Sequence, residues 1–257
     1  MPSANVDGLK IYYEIHGNGD TIVFLHHGFG STQMWKDIYP SFVEKGYRVI
    51  MYDRRGFGQS EMGTDFEEFY VTDRCRYESV EELAKLSEVL NLDSFHIVGQ
   101  CEGGVVGIDY SVKYPDQVKT LAISSTQCYS EVTMVEFNRA AFPKTFQELE
   151  PEVKEKLAHY QKKEYVEFFY NLFRQYGGQY GKGIFDLRKL LPSVICPTLV
   201  LYPDRSILFN VEQGVEFYRH LPKGELAVLP NCGHNTYEEQ PGEYIRHILN
   251  FLKRHHY

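Results

Sequence analysis

The stretch Gly99-Gln100-Cys101-Glu102-Gly103 constrains this chain more than any other. The four residues before it, Phe95-His96-Ile97-Val98, read as a short buried strand. The residues after it, Gly103-Gly104-Val105-Val106-Gly107-Ile108-Asp109-Tyr110, read as a helix. A strand that enters a helix through G-x-C-x-G makes a tight turn that lifts the central side chain clear of the sheet edge. Glycine is needed on both flanks because a Cβ there collides with the neighbouring strand or helix. A cysteine occupies the central position of this turn. Its thiol, with a free pKa of roughly 8.5, deprotonates far more readily than a hydroxyl. The plainer reading, a small buried cysteine beneath a helix, gives way only because other parts of the same machinery follow in order.

The remaining sequence bounds what this turn can belong to. A length of 257 residues and a hydrophobic fraction of 43% suit one α/β domain with an insertion. A net charge of -8 argues against nucleic acid as a partner and against a membrane surface held by basic residues. No apolar run approaches 18 residues, and residues 1–10 lack the basic-then-apolar pattern of a signal peptide. The five cysteines, Cys75, Cys101, Cys128, Cys196 and Cys232, are scattered and form no C-x-x-C pair. They read as reduced thiols of a cytoplasmic protein. Without clustered ligands, neither zinc nor another metal is expected, and no organic cofactor is implied.

Alternating or continuous apolar runs predict strands at residues 8–15, 21–25, 47–52, 118–124, 197–202 and 225–229, besides the one before Cys101. Helical periodicity appears at 79–90 and 241–254. Alternation of strands and helices predicts a mostly parallel sheet covered on both faces. Between the strands ending near Ser124 and starting near Pro197 lie about seventy residues with no strand-like run. They contain helical patterns at 151–161 and 163–176 and eleven aromatic residues, from Phe137 to Tyr180. Most of these rings must pack a helical lid, with three or four lining a site. Gly177-Gly178-Gln179-Tyr180-Gly181-Lys182-Gly183 reads as a bend and a candidate hinge; no G-K-[ST] follows a strand, so it is not a phosphate loop.

Three further segments complete a pattern. His26-His27-Gly28-Phe29-Gly30 follows the second apolar strand. Asp53-Arg54-Arg55-Gly56-Phe57-Gly58-Gln59-Ser60 follows the next. Asn231-Cys232-Gly233-His234 follows the last strand and precedes Glu239-Gln240-Pro241. With the Cys101 turn, these resemble the α/β-hydrolase superfamily in the group with a helical cap, over nearly the whole length. The resemblance implies an α/β-hydrolase fold with a core of residues 1–125 and 190–257 and a cap of 126–189. It implies Cys101 as nucleophile, His234 as general base, and the backbone N–H groups of Phe29 and Glu102 as an oxyanion hole. The other histidines, including His16, His96, His159, His220, His255 and His256, carry no such context. Of the adjacent pair His26 and His27, only one can point inward.

The third member of the triad departs from the family pattern. The family's acid follows the run that here reads Pro197 to Tyr202 and continues as Pro203-Asp204-Arg205-Ser206. Alignment of the turn puts Ser206 at the acid's place and Asp204 two residues early. Asp204 is therefore one candidate to orient His234, and a dyad helped by Ser206, Asn231 or Asn235 is the other. A thiol tolerates the loss of the acid because it can form a thiolate–imidazolium pair in advance. Glu102 reads as a helix-end carboxylate, with a proton-holding role as the second choice. The expected activity is hydrolysis of a small to medium apolar ester, thioester or lactone. Alternatives are hydrolysis of a carbon–carbon bond in a vinylogous diketone, or a ligand-binding protein of the same shape without turnover. The expected partner is a small-molecule acyl substrate, with no nucleic acid or membrane, for a monomer or homodimer.

Overall fold

The computed structural model describes residues 2–255. Strands β1 (Ser3–Val6) and β2 (Leu9–His16) form a hairpin closed by Asp7 and Gly8, both at positive φ. That geometry suits the right-handed twist of the two strands. Then follow β3 (Asp20–Leu25), α1 (Tyr39–Glu44), β4 (Tyr47–Tyr52), α2 (Phe66–Tyr70), α3 (Arg74–Val89), β5 (Phe95–Gln100), α4 (Glu102–Lys113) and β6 (Val118–Ser124). The chain then leaves the sheet through β7 (Tyr129–Thr133), α5 (Met134–Ala141), α6 (Pro151–Tyr160), α7 (Val166–Tyr176) and β8 (Ile184–Asp186). It returns as β9 (Thr198–Pro203), α8 (Glu212–His220), β10 (Gly224–Leu229), α9 (Thr236–Glu239) and α10 (Pro241–Arg254).

Eight strands form one sheet in the order β1-β2-β4-β3-β5-β6-β9-β10. The β1–β2 and β2–β4 pairs are antiparallel and all others are parallel, as expected from the alternating elements. Strand β5 lies between β3 and β6 and is buried along its whole length. Its complete burial follows from having both faces covered. The period-2 pleat sends neighbours to opposite layers. Val23, Leu25 and Ile97 pack with Val105 and Val106 of α4, whereas Ile22, Phe24 and Val98 pack with Trp35 and Phe251. The carboxyl ends of the parallel strands therefore open into loops above a rigid, doubly packed sheet, where ligands of such sheets bind.

The excursion between β6 and β9 contains α5, α6 and α7, and its rings pack largely on one another and on α2. Phe169, Leu172 and Phe173 of α7 join Phe57, Phe66, Phe69 and Tyr70 in one cluster. The expectation of no strand in this stretch is corrected, because β7 and β8 pair as a short antiparallel ribbon. With five and three residues, and largely outside the core, they carry too little hydrophobic alternation to be read. Helix α3 begins at Arg74, five residues before the expected start, because its first turn is polar on the exposed side and adds no apolar period. Strand β1 and helices α1, α2, α5, α8 and α9 lie outside the expected elements. All are nine residues or shorter.

Candidate active site

Cys101 sits between β5 and α4 with φ 51 and ψ -113. A non-glycine residue held there carries strain of order 1–3 kcal/mol, and the surroundings enforce it. Its N–H bonds the Ser124 carbonyl of the neighbouring strand at 2.8 Å. A Cβ on Gly99 would stand 2.6 Å from the Gly103 carbonyl oxygen, and one on Gly103 would stand 2.1 Å from the Leu25 carbonyl oxygen. The two flanking glycines are thus required by close backbone approach, as the sequence pattern implied.

The Cys101 side chain opens on a cavity of about 580 Å³ at the carboxyl edge of the sheet. His27, Gly28, Phe29, Glu102 and His234 share its wall with Cys101. Phe142, Leu157, Tyr160 and Phe173 face them from the excursion, and Val153, Ile207 and Leu208 complete an apolar lining. Three of the eleven rings counted in that stretch therefore reach the cavity, matching the three or four expected. The cavity lies within the usual size range of small-molecule sites.

His234 is fixed at the base of its loop by its own carbonyl, which accepts from Gln100 Nε2 at 2.9 Å and from the Ser125 hydroxyl at 2.7 Å. Phe209 packs edge-on against the ring. Its Nδ1 lies 3.2 Å from Ser206 Oγ. The carboxylate of Asp204 is used elsewhere: Oδ1 accepts from the Cys232 N–H at 3.1 Å. The contact expected of Asp204 is made by Ser206, the position that alignment of the turn had singled out. Backbone N–H groups of Asn231 and Cys232 hold the Asp204 carboxyl below its ordinary pKa, so it serves as the anchor of the histidine loop.

The hydrogen bonds around Ser206 assign the imidazole tautomer. Oγ accepts from the N–H groups of Leu208 and Phe209, each at 3.2 Å. A hydroxyl has two acceptor lone pairs and one donor, so the remaining O–H is directed to His234 Nδ1. The neutral ring then carries its proton on Nε2. A carboxylate in the same place would enforce the opposite tautomer. Burial also pushes the His234 pKa down to about 4.

Burial acts on the thiol in the opposite direction. It pushes Cys101 up to about 12, aided by the Glu102 carboxylate, while Tyr180 and the Glu102 N–H work against the rise. The expected thiolate–imidazolium pair is therefore not the resting form. Desolvation penalises both charges, and the site rests as thiol and neutral imidazole. Among the described residues, the side-chain hydrogen-bond partner of the sulfur is the Tyr180 hydroxyl, at 3.4 Å, beside the backbone N–H of Glu102.

The two expected oxyanion donors differ in readiness. The Glu102 N–H opens α4, where the helix presents unpaired donors to an anion. The Phe29 N–H donates to His27 Nδ1 at 3.1 Å, so it must turn from that ring to reach a substrate oxygen. His27 therefore carries its proton on Nε2, 3.1 Å from the Tyr237 hydroxyl, and burial lowers its pKa to about 3. Of the adjacent histidines, His27 faces the cavity and His26 is fully buried behind it, accepting from the Arg54 N–H at 3.1 Å.

The side chain of Glu102 is not a solvated helix-end charge. It is 1% exposed, and Oε2 lies 3.5 Å from the equally buried guanidinium of Arg54. Its carboxyl group is wedged against Gly28 and Gly178. Burial raises its pKa to about 7 against the pull of Arg54. Arg54 also donates to the carbonyls of His26 and His27 at 3.2 and 3.3 Å, which ties the loop carrying Phe29 to the floor of the nucleophile turn. In the sequence Arg54 stands out only as part of a motif and Tyr180 only as one ring among many. The single signal for Tyr180 was its place in a glycine-rich bend, where Gly177, Gly178 and Gly181 all take positive φ. No group of three or more metal-ligating side chains occurs among the described residues, and no described helix is long and apolar enough to cross a membrane.

Comparison with known proteins adds a family and several relatives. A family model described as alpha/beta hydrolase fold matches residues 20–153, just over half of the chain. A proline iminopeptidase of Clostridioides difficile is 36% identical over 124 residues, 46% of this chain and 41% of that protein. The chain spans about half the length of the curated iminopeptidases it matches. A 2-hydroxy-6-oxononadienedioate/2-hydroxy-6-oxononatrienedioate hydrolase of a Pseudomonas species is 22% identical over 95% of this chain and 92% of its own. Among solved structures, the enol-lactonase of Burkholderia xenovorans superposes with a TM-score of 0.75 at 20% identity. That superposition covers 98% of this chain and 100% of the other.

Proposed function

This chain belongs to the alpha/beta hydrolase fold family, and from that premise we propose that it is a cysteine hydrolase of apolar acyl substrates. The observation that carries the reading is Cys101 on a strained turn at φ 51, opening on the same apolar cavity as His234 and the Glu102 N–H. In the attack step the thiol proton passes to Nε2 of His234, after the ring exchanges its own proton to Nδ1. The sulfur bonds the carbonyl carbon, and the negative charge on the carbonyl oxygen is met by the N–H groups of Glu102 and Phe29. The imidazolium then gives its proton to the leaving group. Water attacks the resulting thioester, His234 takes the water proton, and the sulfur leaves to regain it.

The substrate class follows from the same atoms. A thiolate is a better leaving group than a simple alkoxide, so a tetrahedral intermediate from an alkyl ester reverts. Thioesters, lactones and enol esters expel groups good enough to compete. The wall of Phe29, Phe142, Phe173, Leu157 and Leu208 suits an apolar acyl chain of small to medium size. The core of residues 1–125 and 190–257 supplies the chemistry in this reading, and the excursion of 126–189 acts as its cap.

Carbon–carbon bond hydrolysis of a vinylogous diketone is the second reading, favoured by the relative that aligns over nearly the full length. That relative's name describes a diacid. The cavity wall here holds one lysine, Lys156, already paired with Glu238 at 2.7 Å, which favours an uncharged acyl group. The test is steady-state hydrolysis of p-nitrophenyl butyrate, a butyryl thioester and a dienoate diketone by the native chain, Cys101→Ala and His234→Ala. Turnover of the first two that both substitutions abolish supports the proposal. Turnover of the diketone alone supports the second reading, and no turnover of any supports a ligand-binding protein.

A further inference from the structure

Resting on that reading, we infer that Tyr180 is a catalytic-site residue whose hydroxyl donates to Cys101 Sγ and stabilises the thiolate as it forms. Tyr180 comes from the excursion and not from the sheet, yet it is held against the sheet side. It closes a short turn, Gly178–Tyr180, between Gly177 and Gly181. The preceding side chain, Gln179, pins this turn to α3 by donating to Ser79 Oγ at 2.6 Å. The Tyr180 ring stands edge-on to Phe185 at 4.7 Å between centroids. The hydroxyl is thereby delivered to the sulfur at 3.4 Å, and Sγ is its hydrogen-bond partner among the described residues.

The charges around the sulfur explain the need for such a donor. Glu102, on the next residue, opposes a negative sulfur, whereas Arg54 from the loop after β4 supports it. Tyr202 of β9 is buried on the sheet side and keeps its proton. His234 lines the same cavity and rests neutral. In this surround a neutral O–H aimed at the sulfur lowers the cost of the thiolate without adding a charge. Tyr180 itself is buried and keeps its proton throughout, so it cannot act as the base. The thiol proton leaves for His234, the sulfur keeps the electron pair, and the phenol contributes a hydrogen bond that strengthens as the charge grows.

The experiment is alkylation of Cys101 by iodoacetamide across pH 6–10, followed on the Cys101 peptide by mass spectrometry, in the native chain, Tyr180→Phe and Ser79→Ala. Iodoacetamide needs only a thiolate, so the result is independent of whether any ester is turned over, and the acyl-hydrolase reading fails or stands separately. We expect Tyr180→Phe to keep the native thermal midpoint and to alkylate at least fivefold more slowly at each pH, with the profile displaced to higher pH. Ser79→Ala, which frees the turn carrying Tyr180, moves the rate in the same direction by at least twofold. Unchanged alkylation in both folded variants overturns the inference. Faster alkylation of Tyr180→Phe also overturns it, since the hydroxyl would then be a latch that holds the thiol back.

Discussion

Replacing Ser206 by aspartate should accelerate the enzyme, contrary to the usual fate of a substitution beside a catalytic histidine. Ser206 Oγ already accepts two backbone N–H groups at 3.2 Å, so its O–H donates to Nδ1 and leaves the His234 proton on Nε2. A ring in that tautomer cannot take the thiol proton until it exchanges. In a serine triad, an amide that enforces the same wrong tautomer costs about 10⁴ in kcat. That figure is the ceiling for the gain. A thiol is easier to ionise than a hydroxyl and depends less on the orienting group, so we expect kcat/KM to rise by about 10- to 1000-fold. One carboxylate oxygen can keep the Leu208 and Phe209 N–H groups while the other accepts from Nδ1. The new charge also raises the His234 pKa above its native value of about 4. The acid limb of the rate profile must therefore move to higher pH. Hydrolysis of p-nitrophenyl butyrate from pH 4 to 9 measures both effects. A folded Ser206→Asp variant with equal or lower kcat/KM, or an unmoved acid limb, refutes the tautomer argument.

Three further outcomes follow from other contacts. Asp204→Asn should change kcat/KM less than threefold, because its carboxylate holds the Cys232 N–H while Ser206 contacts the ring; a loss above tenfold would return Asp204 to the triad. Gly103→Ala should unfold the chain or lower its thermal midpoint sharply, since the new methyl meets the Leu25 carbonyl oxygen at 2.1 Å; a native midpoint would contradict the packing of the turn. Glu102 has a folded pKa raised from 4.5 to about 7 by burial, so its protonated form stabilises the fold fully below pH 4.5, and that contribution is lost as pH rises through about 7. Thermal midpoints of Glu102→Gln measured against pH should consequently fall less between pH 4.5 and 8 than those of the native chain; parallel curves would show that Glu102 does not titrate there.

Much of this architecture was legible because two periods dominate it. Strands β3 and β9 are largely apolar runs because both sheet faces are covered, and the nucleophile turn is written in the glycines that backbone contact demands. The short ribbon of β7 and β8 lacked enough alternation to be seen. The members of the site fell into two groups. Cys101, His234, Phe29 and Glu102 were marked by fixed offsets from strands. Tyr180 and the Glu102–Arg54 pair were not, because each meets its partner only through folding, across 79 and 48 residues of chain. Ser206 shows the limit of a residue-by-residue reading. The sequence placed it where an acid belongs, but its direction of donation, and hence the tautomer of His234, depends on the Leu208 and Phe209 N–H groups that fold back onto it.

Sulfur is the atom that receives the acyl group in the proposed reaction. Mixing the native chain with p-nitrophenyl butyrate, quenching in acid within the first turnover and mapping the peptides by mass spectrometry addresses this directly. A butyryl group on the Cys101 peptide, absent in Cys101→Ala, is the predicted result. Turnover that continues undiminished in Cys101→Ala, or a butyryl group on another residue with Cys101 free, would contradict it.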